Sequence, residues 1–304
     1  MATCTIKGDY PVQAETPGLC GTLEVPEDRA NPDGRQIGLR VAVVPATAAD
    51  PEADPLFVLA GGPGDAGTQF FAWLPAVFEE VHARRDIVLI DQRGTGDPQA
   101  FTLPQMPDTS GLSDTDSDAL LSAWATESLA AIDVDPRFYT TSVAADDIDD
   151  IRVALGYEAI NLYGTSYGGT LAQYYIRQHG DNVLVAVLDG ATPVDVPVLE
   201  RMAANSQAAL DLLIQRCAAD ASCHEAFPQL SNEWVAVVDR LATPITVVDP
   251  DSSAEAAIDL TDLADAIHPA LLTESTAGQI PLAIHLAYQG KCGIPLVASF
   301  AQST

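Results

Sequence analysis

INLYGTSYGGTLAQYYIRQHG, residues 160–180, reads as an apolar strand that runs into a glycine-flanked serine and continues directly as an amphipathic helix. Ser166 stands at the turn. In the pattern Gly-Xaa-Ser-Xaa-Gly the central backbone is strained and its flanks pack closely, so Gly164 and Gly168 leave room where a Cβ would clash. Gly169 relaxes the crowding further. The helix carrying Tyr174 and Ile176 begins just after Ser166, and its positive end favours negative charge developing on an oxygen there. A strand before the motif and a helix after it make the pattern more specific than the five residues alone.

Working outward, LFVLAGGPG (56–64) and DIVLIDQRGTG (86–96) repeat the same theme of a short apolar strand ending in glycines. CGTLEVPEDRANPDGR (20–35) reads as a strand and a turn-laden loop, GLRVAVVPA (38–46) as a strand, and FFAWLPAVFEEVHA (70–83) as a helix. TTSVAADDIDDIRVALG (140–156) has a polar start, acidic early turns and a stripe of Val143, Ile148, Ile151 and Leu155, the pattern of a capped helix leading into the strand before Ser166. Residues 97–140 form a surface excursion with one helix near 120–132, and NVLVAVLDG (182–190) reads as another buried strand. Strands alternating with helices predict a mainly parallel sheet with helices on both faces. From residue 193 onward the periodicity turns helical, through 199–220 and 260–272, with a single strand at PITVVD (244–249). The expected organisation is therefore a sheet domain over 1–192 and a mainly helical cap over 193–304.

At 304 residues and 47% apolar content the chain buries a large core. Its formal charge is −29, with Lys7 and Lys291 the only lysines against 43 carboxylates, so phosphate backbones are repelled and nucleic acid is excluded as a partner. The same charge predicts a protein favoured by salt, which screens self-repulsion. No apolar run is long enough to span a bilayer, VLVAVL at 183–188 included, so no membrane partner is expected. Cys4 with Cys20 and Cys217 with Cys223 read as two short disulfide loops, which implies an oxidising compartment and hence a secreted or periplasmic chain whose leader is not present here. Zinc fits RCAADASCHEAF (216–227) poorly, because the cysteine spacing is too long and His224 adjoins Cys223. Cys292 is left unpaired.

Glycine-bearing strand ends collect at the carboxyl edge of a parallel sheet, where open α/β sheets place their sites. In acyl transfer the loop after an early strand gives one N–H to the oxyanion, and the residue after the nucleophile gives another. Gly62 and Tyr167 occupy those positions. The glycine loop fails as a nucleotide site, since neither Gly-Xaa-Gly-Xaa-Xaa-Gly nor a following Lys-Ser/Thr is present, and no cofactor or metal is required.

LAGGPGDAG, VLIDQRGTG and residues 144–193 together resemble the prolyl iminopeptidase and tripeptidyl aminopeptidase family of α/β-hydrolases, with the cysteines closer to its secreted tripeptidyl branch. The resemblance covers nearly the whole chain. It implies a serine hydrolase that acylates Ser166 and cleaves small ester or N-terminal peptide substrates. Where the family carries His-Gly-Gly-Pro-Gly this chain has Ala60, and Asp91 and Arg93 are expected to brace the neighbouring loop.

The family's triad runs Ser, then acid, then His, the last two on strands beyond the cap. No such strand and no glycine-histidine follow residue 290, so the resemblance implies that the final core strands, the acid and the histidine are absent from this chain. Asp189, closing the strand after the serine helix, is the acid candidate that remains. His82, His179, His224, His268 and His285 read as surface or packing residues rather than as a base. Glu200 and Asp211 in the cap are candidates for pairing with a substrate ammonium, against the plainer reading of solvated carboxylates. The alternative function is a non-catalytic or crippled hydrolase-like binding domain. A sheet that stops at its sixth strand also leaves an unpaired edge, which predicts a homodimer or strand exchange.

Overall fold

The computed structural model describes residues 1–8, 14–96, 100–109, 112–248 and 255–290. The readings that fall after residue 290, including the unpaired Cys292 and the absent late strands, lie outside the described residues. The chain divides into two compact units, Met1–Val196 and Pro197–Thr304.

The first unit is built on a seven-stranded sheet. Its strands are β1 (Ala2–Lys7), β2 (Glu15–Pro26), β3 (Gln36–Val44), β4 (Leu56–Leu59), β5 (Ile87–Ile90), β6 (Ile160–Thr165) and β7 (Val183–Asp189), in the order β1-β2-β3-β5-β4-β6-β7. β5, β4, β6 and β7 run parallel, β3 lies antiparallel to β5, and β2 and β1 reverse in turn. Five of the seven strands, β2 and β4 to β7, therefore point the same way. β1 adds a strand that the sequence reading did not include. ATCTIK is short and mostly polar; pairing with β2 and the Cys4–Cys20 disulfide hold it in the sheet.

Side-chain alternation along β4 assigns the two layers. Phe57 and Leu59 face a core shared with α4 (Thr141–Leu155) and α5 (Tyr167–His179), where Ile148, Ile151, Leu171 and Tyr175 are buried. Leu56 and Val58 face the other core, with Phe71 and Ala72 of α1 (Gly67–Trp73) and with Phe78. The single helix expected over 70–83 is broken. α1 ends at Trp73, Pro75 opens a 3-10 turn (Pro75–Phe78), and α2 (Glu79–His82) follows, because Pro75 has no N–H to continue the helical ladder. α3 (Asp114–Ala131) is the helix of the surface excursion. α4 begins as expected, with the Thr140 hydroxyl accepting from the Val143 N–H, and ends at left-handed Gly156.

β7 corrects a second expectation. Its composition suggested burial on both faces, yet Leu184 is 58% and Val187 49% exposed. Among the described residues the strand is last in the sheet and pairs with β6 alone.

The second unit consists of α6 (Val198–Ala219), α7 (Ala221–Ala226), α8 (Leu230–Leu241), a two-stranded antiparallel ladder of β8 (Ile245–Val248) and β9 (Glu255–Ile258), α9 (Leu260–Ala270), α10 (Glu274–Ala277) and α11 (Ile280–Tyr288). Leu210, Ile214, Leu230, Ile267, Ile280 and Ile284 form its core, and Cys217–Cys223 ties α6 to α7. β9 was missed because its alanines carry no strand signal. Among the described residues no helix is long and apolar enough to cross a membrane.

Candidate active site

Ser166 sits between β6 and α5 with φ 51° and ψ −120°, the one non-glycine residue with positive φ among the described residues. Such a conformation persists only where the surroundings over-determine it. Here they do: a Cβ on Gly168 would lie 2.0 Å from the Leu59 carbonyl oxygen, so the start of α5 is pressed directly onto the end of β4. The Ser166 N–H donates to the Asp189 carbonyl (2.8 Å), and the Gly169 N–H donates to the Ser166 carbonyl (3.0 Å). Ser166 itself is exposed, and its side chain makes no capping bond to α5. The turn is fixed while its hydroxyl stays available.

The glycine loop after β4 lies against this turn. A Cβ on buried Gly61 would come within 3.2 Å of the Ser166 Cβ and 3.7 Å of its Oγ. Gly62, with φ 98°, is the next residue and is exposed. Tyr167 is the first residue of α5, and its phenol lies 3.0 Å from the Thr141 hydroxyl. Gly61 thus packs directly on the Ser166 side chain, and Gly62 follows it in the same loop.

Asp91 and Arg93 follow β5 on the same edge. The Asp91 carboxylate accepts from the Thr68 N–H (2.9 Å) and hydroxyl (2.9 Å), tying the start of α1 to the end of β5. Burial pushes the Asp91 carboxyl upward, against the Thr68 bonds and the Arg40 charge, which favour the carboxylate. Arg93 donates through Nε and Nη2 to Asp147 of α4 (both 2.7 Å) and through Nη1 to the carbonyls of Glu27 and Phe138. This forked geometry anchors the loop after β5 to α4. No local sequence signal announces Asp147, 54 residues further on.

The Asp189 carboxylate accepts from the Tyr163 hydroxyl at 2.6 Å. The Tyr163 phenol is pushed up to about 12 by burial and then by the Asp189 negative charge. Neither histidine of this unit joins Ser166 or Asp189. His82, at the end of α2, bonds the Pro45 carbonyl, and His179, at the far end of α5, bonds Asp146. His179 is the last of the thirteen helical residues that follow Ser166, roughly 20 Å of rise away.

In the second unit, His268 lies 2.8 Å from the Ser206 hydroxyl, which donates to the Met202 carbonyl. His285 Nδ1 meets the buried Glu233 carboxylate at 2.9 Å. His224 adjoins the Cys217–Cys223 disulfide. Glu200 and Asp211 are exposed on α6, the latter accepting from Gln207. Among the described residues no cluster of three or more His, Cys, Asp or Glu is arranged to hold a metal.

A serine at a strained strand-to-helix turn on the carboxyl edge of a mostly parallel sheet, with a glycine loop beside it, defines the hydrolase class of nucleophile elbow. Residues 54–220 match the family described as alpha/beta hydrolase fold, and the chain belongs to that family. It is 30% identical over 270 residues to serine protease Hip1 of Mycobacterium tuberculosis (strain ATCC 25618 / H37Rv), an overlap of 79% of this chain and 49% of that protein. To the tripeptidyl aminopeptidase of Streptomyces lividans it is 32% identical over 188 residues, covering 57% of this chain and 35% of that one. The chain thus spans about half the length, or less, of these curated relatives. Among solved structures, the proline iminopeptidase of Mycobacterium smegmatis aligns with 89% of this chain and 69% of its own at 20% identity, with a TM-score of 0.41.

Proposed function

We propose that this chain is a serine hydrolase that cleaves ester or N-terminal peptide bonds through an acyl-enzyme on Ser166. The observation that carries the reading is the positive-φ, exposed Ser166 held against the Gly61 loop. In the reaction Oγ forms a bond to the substrate's carbonyl carbon, a base takes the Oγ proton, and the alcohol or amine leaves with a proton before water releases the acid. The backbone N–H groups of Gly62 and Tyr167 are the proposed donors to the oxyanion, that of Tyr167 helped by the positive end of α5. Relatives named serine protease, tripeptidyl aminopeptidase and probable proline iminopeptidase favour peptide substrates with a free N-terminus. Two disulfides fit a secreted or periplasmic location.

A second reading, a hydrolase-like binding domain of reduced catalytic competence, is favoured by the engagement of His82 and His179 away from Ser166. A fluorophosphonate probe separates the two. Labelling of the wild-type chain that disappears in Ser166→Ala supports the enzyme, and a folded wild-type chain that takes no label supports the binding domain. Comparison of p-nitrophenyl acetate with a tripeptide anilide then divides esterase from aminopeptidase. The exposed apolar edge at β7 is proposed to pair with a second copy of the chain, giving a homodimer or strand exchange. A monodisperse monomer by light scattering at micromolar concentration contradicts that.

A further inference from the structure

We propose that Asp189, the last residue of β7, and the three residues after it, to Thr192, grip the nucleophile turn from both sides, and that Asp189 acts as a positioning residue rather than as the triad acid. The proposal rests on Ser166 being the nucleophile.

The main chain of Asp189 accepts the Ser166 N–H (2.8 Å), and its carboxylate accepts the hydroxyl of Tyr163 (2.6 Å), three residues before the serine on β6. Gly190, with φ 60°, turns the chain onto α5. Ala191 then packs so tightly on Gly169 that a Cβ there would lie 2.3 Å from its own. The Thr192 carbonyl accepts from Gln173 Nε2 (2.9 Å) and from the Thr170 hydroxyl (3.3 Å). Strand before, serine amide and helix after are all held by one short segment. A triad acid works differently: it accepts a histidine N–H. The Asp189 carboxylate instead accepts a phenol, that of Tyr163.

The two roles give opposite rankings of variants. We compare the rate of fluorophosphonate labelling at Ser166 in the intact chain with Tyr163→Phe, Asp189→Ala and Asp189→Asn. For positioning, Tyr163→Phe and Asp189→Ala each slow labelling about tenfold, the effect of losing one charge-assisted hydrogen bond. Asp189→Asn stays within about threefold, because the amide oxygen still accepts the phenol. A triad acid instead loses about 10⁴ on conversion to Asn and is indifferent to Tyr163→Phe. That second pattern, or wild-type rates in both Tyr163→Phe and Asp189→Ala, overturns the proposal. Hydrogen exchange at the Ser166 amide is a readout free of catalysis: faster exchange in Tyr163→Phe is expected, and unchanged protection contradicts the grip. If the wild-type chain takes no label, the nucleophile reading fails by itself and the exchange experiment still decides this one. Should Asp189→Ala not fold, Tyr163→Phe, which keeps the ring, carries the comparison.

Discussion

β6 and β7 are neighbours in the sheet, parallel, and made of similar apolar residues, yet they live in different environments. Ile160 and Leu162 of β6 are fully buried between two helical layers, and the strand ends at the strained Ser166. Leu184, Val185, Val187 and Leu188 of β7 are all more than two-fifths exposed. Among the described residues β6 has β4 and β7 beside it, whereas β7 pairs with β6 alone. Apolar composition states what a strand tends toward, and topology decides whether it gets there. The functional consequence is that the nucleophile turn is braced on one side by β4 and on the other by the end of β7.

The contrast is sharpest at the glycine where β4 meets α5. Gly168→Ala puts a methyl group into the Leu59 carbonyl and is expected to destabilise the first unit by about 4 kcal/mol or more. Next come matched truncations in the two strands. Leu162→Ala should cost about 2–5 kcal/mol in urea unfolding, and Val187→Ala no more than about 0.5 kcal/mol. Equal losses would mean that β7 is covered in solution, and the comparison would break. Light scattering of Leu184→Lys sharpens the same point: if β7 pairs with a second copy, the charge shifts the chain to monomer.

A smaller effect is expected from the bond that joins the two strands. The folded chain keeps the Tyr163 proton up to about pH 12, whereas an unfolded tyrosine releases its own near pH 10. Its contribution is therefore complete below about pH 10 and declines as pH rises toward 12. Unfolding midpoints at pH 9, 10 and 11 should fall less steeply in Tyr163→Phe than in wild type. Smallest of all, the −29 charge predicts a midpoint that rises between about 0.1 and 1 M salt, where the screening length contracts from about 10 to 3 Å.

How much of this was legible in the sequence follows from the range of each signal. The turn at Ser166, the glycine loop, both disulfides and the cap of α4 are encoded in residues close together in the chain, and each is read from spacing and residue type. The Arg93–Asp147 fork and the Tyr163–Asp189 bond join residues 54 and 26 apart, with no periodicity linking them. The packing of Gly61 on the Ser166 side chain joins residues 105 apart in the chain, and no local pattern gives it. The exposure of β7 was hidden for the opposite reason: its local signal was strong and gave the wrong environment.

The most direct test is to treat the folded chain with a fluorophosphonate, digest it and locate the adduct by mass spectrometry. The account predicts a single adduct on the peptide that contains Ser166 and none in Ser166→Ala; an adduct on a different residue, or no adduct on well-folded wild-type protein, would contradict it.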